Sequence, residues 1–142
     1  MEIDWMIHLV ANNKKCEVCG EIEYRFKQYA CNAHSHGMEK YNHKDFQMVL
    51  LFPPKEISRI INSLCMNVSK GQRYKDGDLV YGIYEDCPVK LVEFEETERK
   101  VLRVIIPDKN NAFPDDPNCQ EVYRMQLLET SELYENEMVL YH

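Results

Sequence analysis

The chain has 142 residues, 44% of them hydrophobic, and its 24 acidic against 17 basic side chains give a formal charge of −7. That length suits one domain able to bury roughly two-thirds of the surface its unfolded form exposes, so a metal is not needed merely to fold. The negative field disfavours nucleic acid and would suit a basic protein partner. No run approaches the roughly 20 apolar residues of a membrane span.

Six cysteines with no signal-like start (Met1-Glu-Ile-Asp-Trp5) point to reduced thiols and a cytoplasmic location.

In chain order, Ile3, Met6, Ile7 and Val10 recur at helical spacing, widened by Trp5 and Leu9, which predicts a short amphipathic helix over 2–13. Cys16-Glu-Val-Cys19 follows, then a run of strand composition over 21–33 with Tyr24, Phe26 and Tyr29. Phe46 to Phe52 is apolar on both faces and reads as a central strand, stopped by Pro53-Pro54. Beyond it, Ile57, Ile60, Ile61, Leu64, Cys65 and Val68 trace one buried face of a helix over about 54–69, with Gly71 at its stop. Strands are expected at 79–84, 89–94, 100–106 and 122–128, and a proline-rich surface loop at 113–117. The tail from Ser131 suits a short helix or an edge strand. With no internal repeat or linker, this predicts one α+β domain over 1–142, a mainly antiparallel sheet packed by the 54–69 helix, plus the short N-terminal helix.

The functional signal is the stretch from Cys31 to Asp45, which holds His34, His36 and His43, three of five histidines. If strands up to His36 and from His43 are joined by the loop 37–42, His36 faces His43 and His34 faces Asp45. Strand side chains repeat with period two, so these four groups would converge as ligands for one divalent metal, zinc first. Three histidines with an open position would support metal-assisted hydrolysis, whereas Asp45 could instead orient a histidine from behind. The bland alternative is a polar hairpin end with neutral histidines bonded to backbone or water.

A second ligand set is Cys16, Cys19, Cys31 and His34, the spacing of a structural zinc site. Against it, Glu21 to Ala30 has no turn residue, and an extended segment, at about 3.3 Å per residue, separates the half-sites by more than roughly 30 Å. A Cys31 nucleophile beside His34 is disfavoured by strand parity. Asp76 and Asp78 specify too few oxygens for a calcium loop, and the acidic run Glu93, Glu95, Glu96, Glu98 reads as a solvated strand end.

His34-Ser-His36-Gly-Met-Glu-Lys-Tyr-Asn-His43, Asp45-Phe-Gln47, Gly71-Gln-Arg-Tyr-Lys-Asp-Gly-Asp78 and Phe113-Pro-Asp-Asp-Pro117 together resemble a family of small bacterial proteins, domain-of-unknown-function family 4262. The resemblance spans about residues 24–128 and implies a bacterial source and a compact α+β domain, but no catalytic residue. The family's pattern carries His43 with an acidic residue two places on more regularly than all three histidines. Two functions therefore compete: a mononuclear metal-binding domain, and a non-enzymatic acidic binding or immunity-type protein. A structural zinc protein is third.

Overall fold

A computed structural model describes residues 4–10, 29–96 and 99–133. Its centre is a six-stranded mixed sheet built from β1 (Met6–Val10), β2 (Ala30–His36), β3 (Asp45–Leu50), β4 (Leu79–Val80), β5 (Val89–Glu95) and β6 (Lys100–Ile105). The spatial order is β1-β2-β3-β6-β5-β4. All neighbours pair antiparallel except β3 and β6, so the fold is α+β with a mostly antiparallel sheet. No helix among the described residues is long and apolar enough to cross a membrane.

One face of the sheet is covered by helix α1 (Pro54–Ser69), which occupies the span its periodicity predicts. Pro54 sits at the first helical position, where its fixed φ and missing N–H do no harm. Gly71, at φ +107°, ends the helix in a left-handed conformation and donates its N–H to the Val68 carbonyl. Ile57, Ile60, Ile61, Leu64, Cys65 and Val68 pack into one cluster with Phe46 and Met48 of β3 and Leu91, Leu102 and Val104 of β5 and β6. Complete burial of each such aliphatic side chain contributes about 1.5–3 kcal/mol.

The opposite face is covered by short helical segments: α2 (Glu121–Arg124), then 3-10 turns at Met125–Leu127 and Thr130–Leu133. The strand expected at 122–128 is thus corrected to helical turns. Leu133 packs there on Ala30 and Val49. At the other end of the chain, the expected helix over 2–13 is corrected to the edge strand β1. Met6–Val10 pairs with His36–Asn32, sending Ile7 and Leu9 to the α1 side. Trp5 anchors this strand by donating its indole N–H to Asn62 Oδ1 at 2.8 Å, across to the helix. Only Leu79–Val80 of the 79–84 segment is strand, and 113–117 is irregular as expected.

Cys31 and Cys65 lie within the α1-side core with no solvent exposure, and burial pushes both thiols up to about 12. A thiol whose folded value exceeds its unfolded value loses stability as pH rises, because the unfolded chain ionises first. Stability should therefore fall from about pH 9 to 12 by about 1.4 kcal/mol per pH unit for each thiol. Urea titrations over that range check this against Cys65→Val, whose slope should be shallower by one thiol's share. Equal slopes would remove the linkage. Site-resolved alkylation should label the half-buried Cys87 well before either core thiol.

Candidate functional site: a histidine cluster on the sheet

Antiparallel pairing places His8 opposite His34, and His36 lies two positions along the same strand, so the three imidazoles share the face away from α1. Ring centroids are 4.8 Å apart for His8–His36, 4.8 Å for His34–His36 and 6.2 Å for His8–His34. The first two pairs meet edge to face, and the third is stacked. Nε2 of His8 is buried with no hydrogen-bond partner among the described residues. Burial lowers the His34 pKa to about 3, helped by the charges that His36, Arg99 and His8 would carry and opposed by a hydrogen bond to the Asn32 backbone. His36 is also shifted down, by burial and then by Arg99 and His8, with Asp45 opposing. His34 and His36 thus favour the neutral form, the one that binds metals.

Behind the cluster runs a buried polar chain. His34 Nδ1 lies 3.1 Å from Asn32 Oδ1, which also accepts from Gln47 Nε2 at 3.0 Å. Gln47 Oε1 accepts from Arg103 Nε at 2.8 Å, and Gln47 Nε2 also donates to Glu96 Oε1 at 2.7 Å. The Arg103 guanidinium further donates to the carbonyls of Gln126 and Leu128 and, at 3.2 Å, to Thr130 Oγ1, and stacks 3.5 Å over the Phe94 ring. Thr130 in turn donates to Glu96 Oε2 at 2.7 Å. Burial lowers the Arg103 pKa to about 10, against the pull of Glu96 and Glu129.

The expected hairpin register is two residues out. His34 pairs with Gln47 instead of Asp45, because the link from β2 to β3 winds into a 3-10 turn at Met38–Tyr41 and β3 begins only at Asp45. Gly37 makes that turn possible on two counts. Its φ is +125°, and a Cβ there would come within 3.1 Å of the Trp5 Cα and Cβ. His43 is left outside the strand and facing other partners. Its Nε2 accepts the Tyr74 N–H at 3.0 Å, so Nδ1 carries the proton and donates to the Lys44 carbonyl at 2.8 Å. The ring packs on Phe46 and Tyr74, fastening the loop after α1.

Asp45 is equally committed. Oδ1 accepts from Ser35 Oγ at 2.8 Å and from the Met38 N–H at 3.0 Å, and Oδ2 pairs with Arg99 at 2.6 Å. The set His34, His36, His43 and Asp45 is therefore not gathered. Among the described residues, no group of three or more His, Cys, Asp and Glu side chains is arranged so that it could hold a metal ion.

For the cysteine set, Cys16 and Cys19 lie outside the described residues, and Cys31 points into the α1 core while His34 occupies the other face. The same parity, with the raised thiol pKa, removes Cys31 as a nucleophile. Asp76 and Asp78 serve as loop acceptors, for the N–H groups of Glu93 and Lys75.

Sequence reasoning missed His8, since a helix over 2–13 would have turned it away from β2. The alternation of Met-Ile-His-Leu-Val was the available signal. No protein-family model, curated protein or solved structure matches the chain.

Proposed function

We propose that the protein is a divalent-metal-binding domain, with zinc the first candidate, and that His8, His34 and His36 are its ligands. The observation that carries this reading is the buried Nε2 of His8, without a hydrogen-bond partner among the described residues, set against two further imidazoles. A buried polar atom without a partner is costly, and a bound cation would remove that cost. Ligand nitrogens held about 2.0–2.1 Å from zinc put imidazole centroids roughly 5 Å apart, a spacing that 4.8, 4.8 and 6.2 Å bracket. Binding would require the His8 and His36 rings to rotate about χ2 toward His34, whose ring is held by Asn32. Three protein ligands leave a fourth position open, the arrangement used in metal-assisted hydrolysis.

Metal content of untagged protein and calorimetric zinc titration test this directly. Wild type should bind one zinc per chain. His8→Ala and His36→Ala should each weaken binding by about 100-fold or more, a ligand mattering at least as much as the groups that orient it. His43→Ala should bind as wild type does. Loss confined to Cys19→Ala would move the metal to the cysteines. Absence of binding in wild type would leave an acidic protein for a basic partner, a reading supported by the charge of −7.

A further inference from the structure

The hydrogen-bond chain leading from Arg103 to His34 has a direction that can be read atom by atom. A guanidinium only donates, so the Gln47 atom facing Arg103 Nε must be its carbonyl oxygen. The other end of that amide is then NH2, which donates to Asn32 and Glu96. The Asn32 atom receiving it must be an oxygen, and this same Oδ1 lies 3.1 Å from His34 Nδ1. An acceptor-only oxygen requires a proton on that ring nitrogen. In a neutral imidazole the lone pair is then on Nε2.

We infer that Gln47 and Asn32 are positioning residues, which transmit the donor direction of Arg103 to His34, hold its proton on Nδ1 and leave Nε2 as the coordinating nitrogen. Metal-binding histidines are commonly oriented in this way by a partner on the second nitrogen, which fixes both tautomer and ring. The relay crosses three strands, since Asn32 and His34 lie on β2, Gln47 on β3 and Arg103 on β6. Gln47 and Arg103 are also direct neighbours in the parallel β3–β6 register. The coordinating role of Nε2 rests on the metal reading above, whereas the tautomer does not depend on it. A hydrogen bond to the Asn32 main chain also bears on the His34 ring, and the experiment separates that contact from the relay.

The test is the tautomer of His34 in metal-free protein at neutral pH, read from the ring nitrogen shifts in a long-range 1H–15N correlation. Wild type should show Nδ1–H. In Gln47→Glu the amide donor becomes an acceptor, Asn32 reverses to present NH2, and His34 should switch to Nε2–H. Gln47→Met, of similar volume and without the added charge beside Glu96, should release the Asn32 amide and give both tautomers. Asn32→Asp, an acceptor on either oxygen, should keep Nδ1–H.

An Nε2–H wild type would overturn the inference. So would an Nδ1–H state unchanged in both Gln47 variants, which would assign the tautomer to the Asn32 main chain. Zinc affinity should fall about 10–100-fold in Gln47→Glu. If the tautomers respond as stated but no variant or wild type binds zinc, the relay stands and the metal reading fails.

Discussion

Replacing Arg103 with leucine is expected to destabilise the protein by about 3–5 kcal/mol, the range for removing one partner from a buried charged network. The side chain is fully buried, and each of its three nitrogens donates at least one hydrogen bond. Its guanidinium joins Gln47 of β3 to the carbonyls of Gln126 and Leu128 and to Thr130, so it ties the sheet to the segment that covers it. Leucine fills part of the volume but leaves those acceptors without donors and Glu96 without its nearby cation. Lysine keeps the charge but lacks the planar fork and the stacking on Phe94, so Arg103→Lys should recover only part of the loss. Urea unfolding monitored by circular dichroism measures both. A leucine variant within 1 kcal/mol of wild type would mean that the covering segment docks without the network.

The regions that sequence periodicity placed well are those where one period dominates. Helix α1 shows its buried face because six apolar residues repeat at helical spacing between a proline start and a glycine stop, and nothing else fits that pattern. The apolar run beginning at Phe46 reads as a central strand because both its faces are covered. Met6–Val10 fits two periods. Met6, Ile7 and Val10 suit a helix, while Ile7 and Leu9 suit a strand, and pairing with β2 decides between them.

Segment 122–128 misleads in another way. Val122 and Leu127 are exposed while Gln126 is fully buried, an inversion of the hydrophobic rule. The Gln126 amide explains it. It accepts from the Ile106 N–H at 2.7 Å and donates to the Ile106 carbonyl at 2.8 Å, taking the place of a ladder partner beyond the end of β6. No pattern of apolar residues encodes such a contact.

The same distinction applies to the site. Strand parity puts His34 and His36 on one face whatever the register, and their rings lie 4.8 Å apart. Which residues stand opposite depends on the length and winding of the loop. There the buried Met38 and the left-handed Gly37 and Asn42 shift the pairing by two residues. Gln47 and Arg103 were visible as single polar residues inside apolar strands. Their pairing needed the parallel β3–β6 contact, which local sequence does not contain.

Asp45 carries the second large expected effect, and its variants should rank in a definite order. Asp45→Ala removes the acceptor for two donors in the closing turn of β2 and β3, Ser35 Oγ and the Met38 N–H, and should cost about 3 kcal/mol, since each buried donor left unsatisfied costs about 1–3. Asp45→Asn keeps one oxygen for those donors but turns NH2 toward the Arg99 guanidinium, so an intermediate loss is expected. Arg99→Ala should cost least, about 1 kcal/mol or below, because the Arg99 side chain is 32% exposed and water replaces much of its ion pair. This ordering separates an aspartate that organises the turn through neutral donors from one whose role is the ion pair. If Arg99→Ala matched Asp45→Ala in urea unfolding, the ion pair would dominate. The consequence reaches the histidines, because Arg99 also donates to the Ser35 carbonyl, between His34 and His36. A turn loosened by Asp45→Ala should therefore weaken zinc binding through His36 as well, whereas Asp45→Asn, which retains the acceptor for Met38, should leave more of it intact.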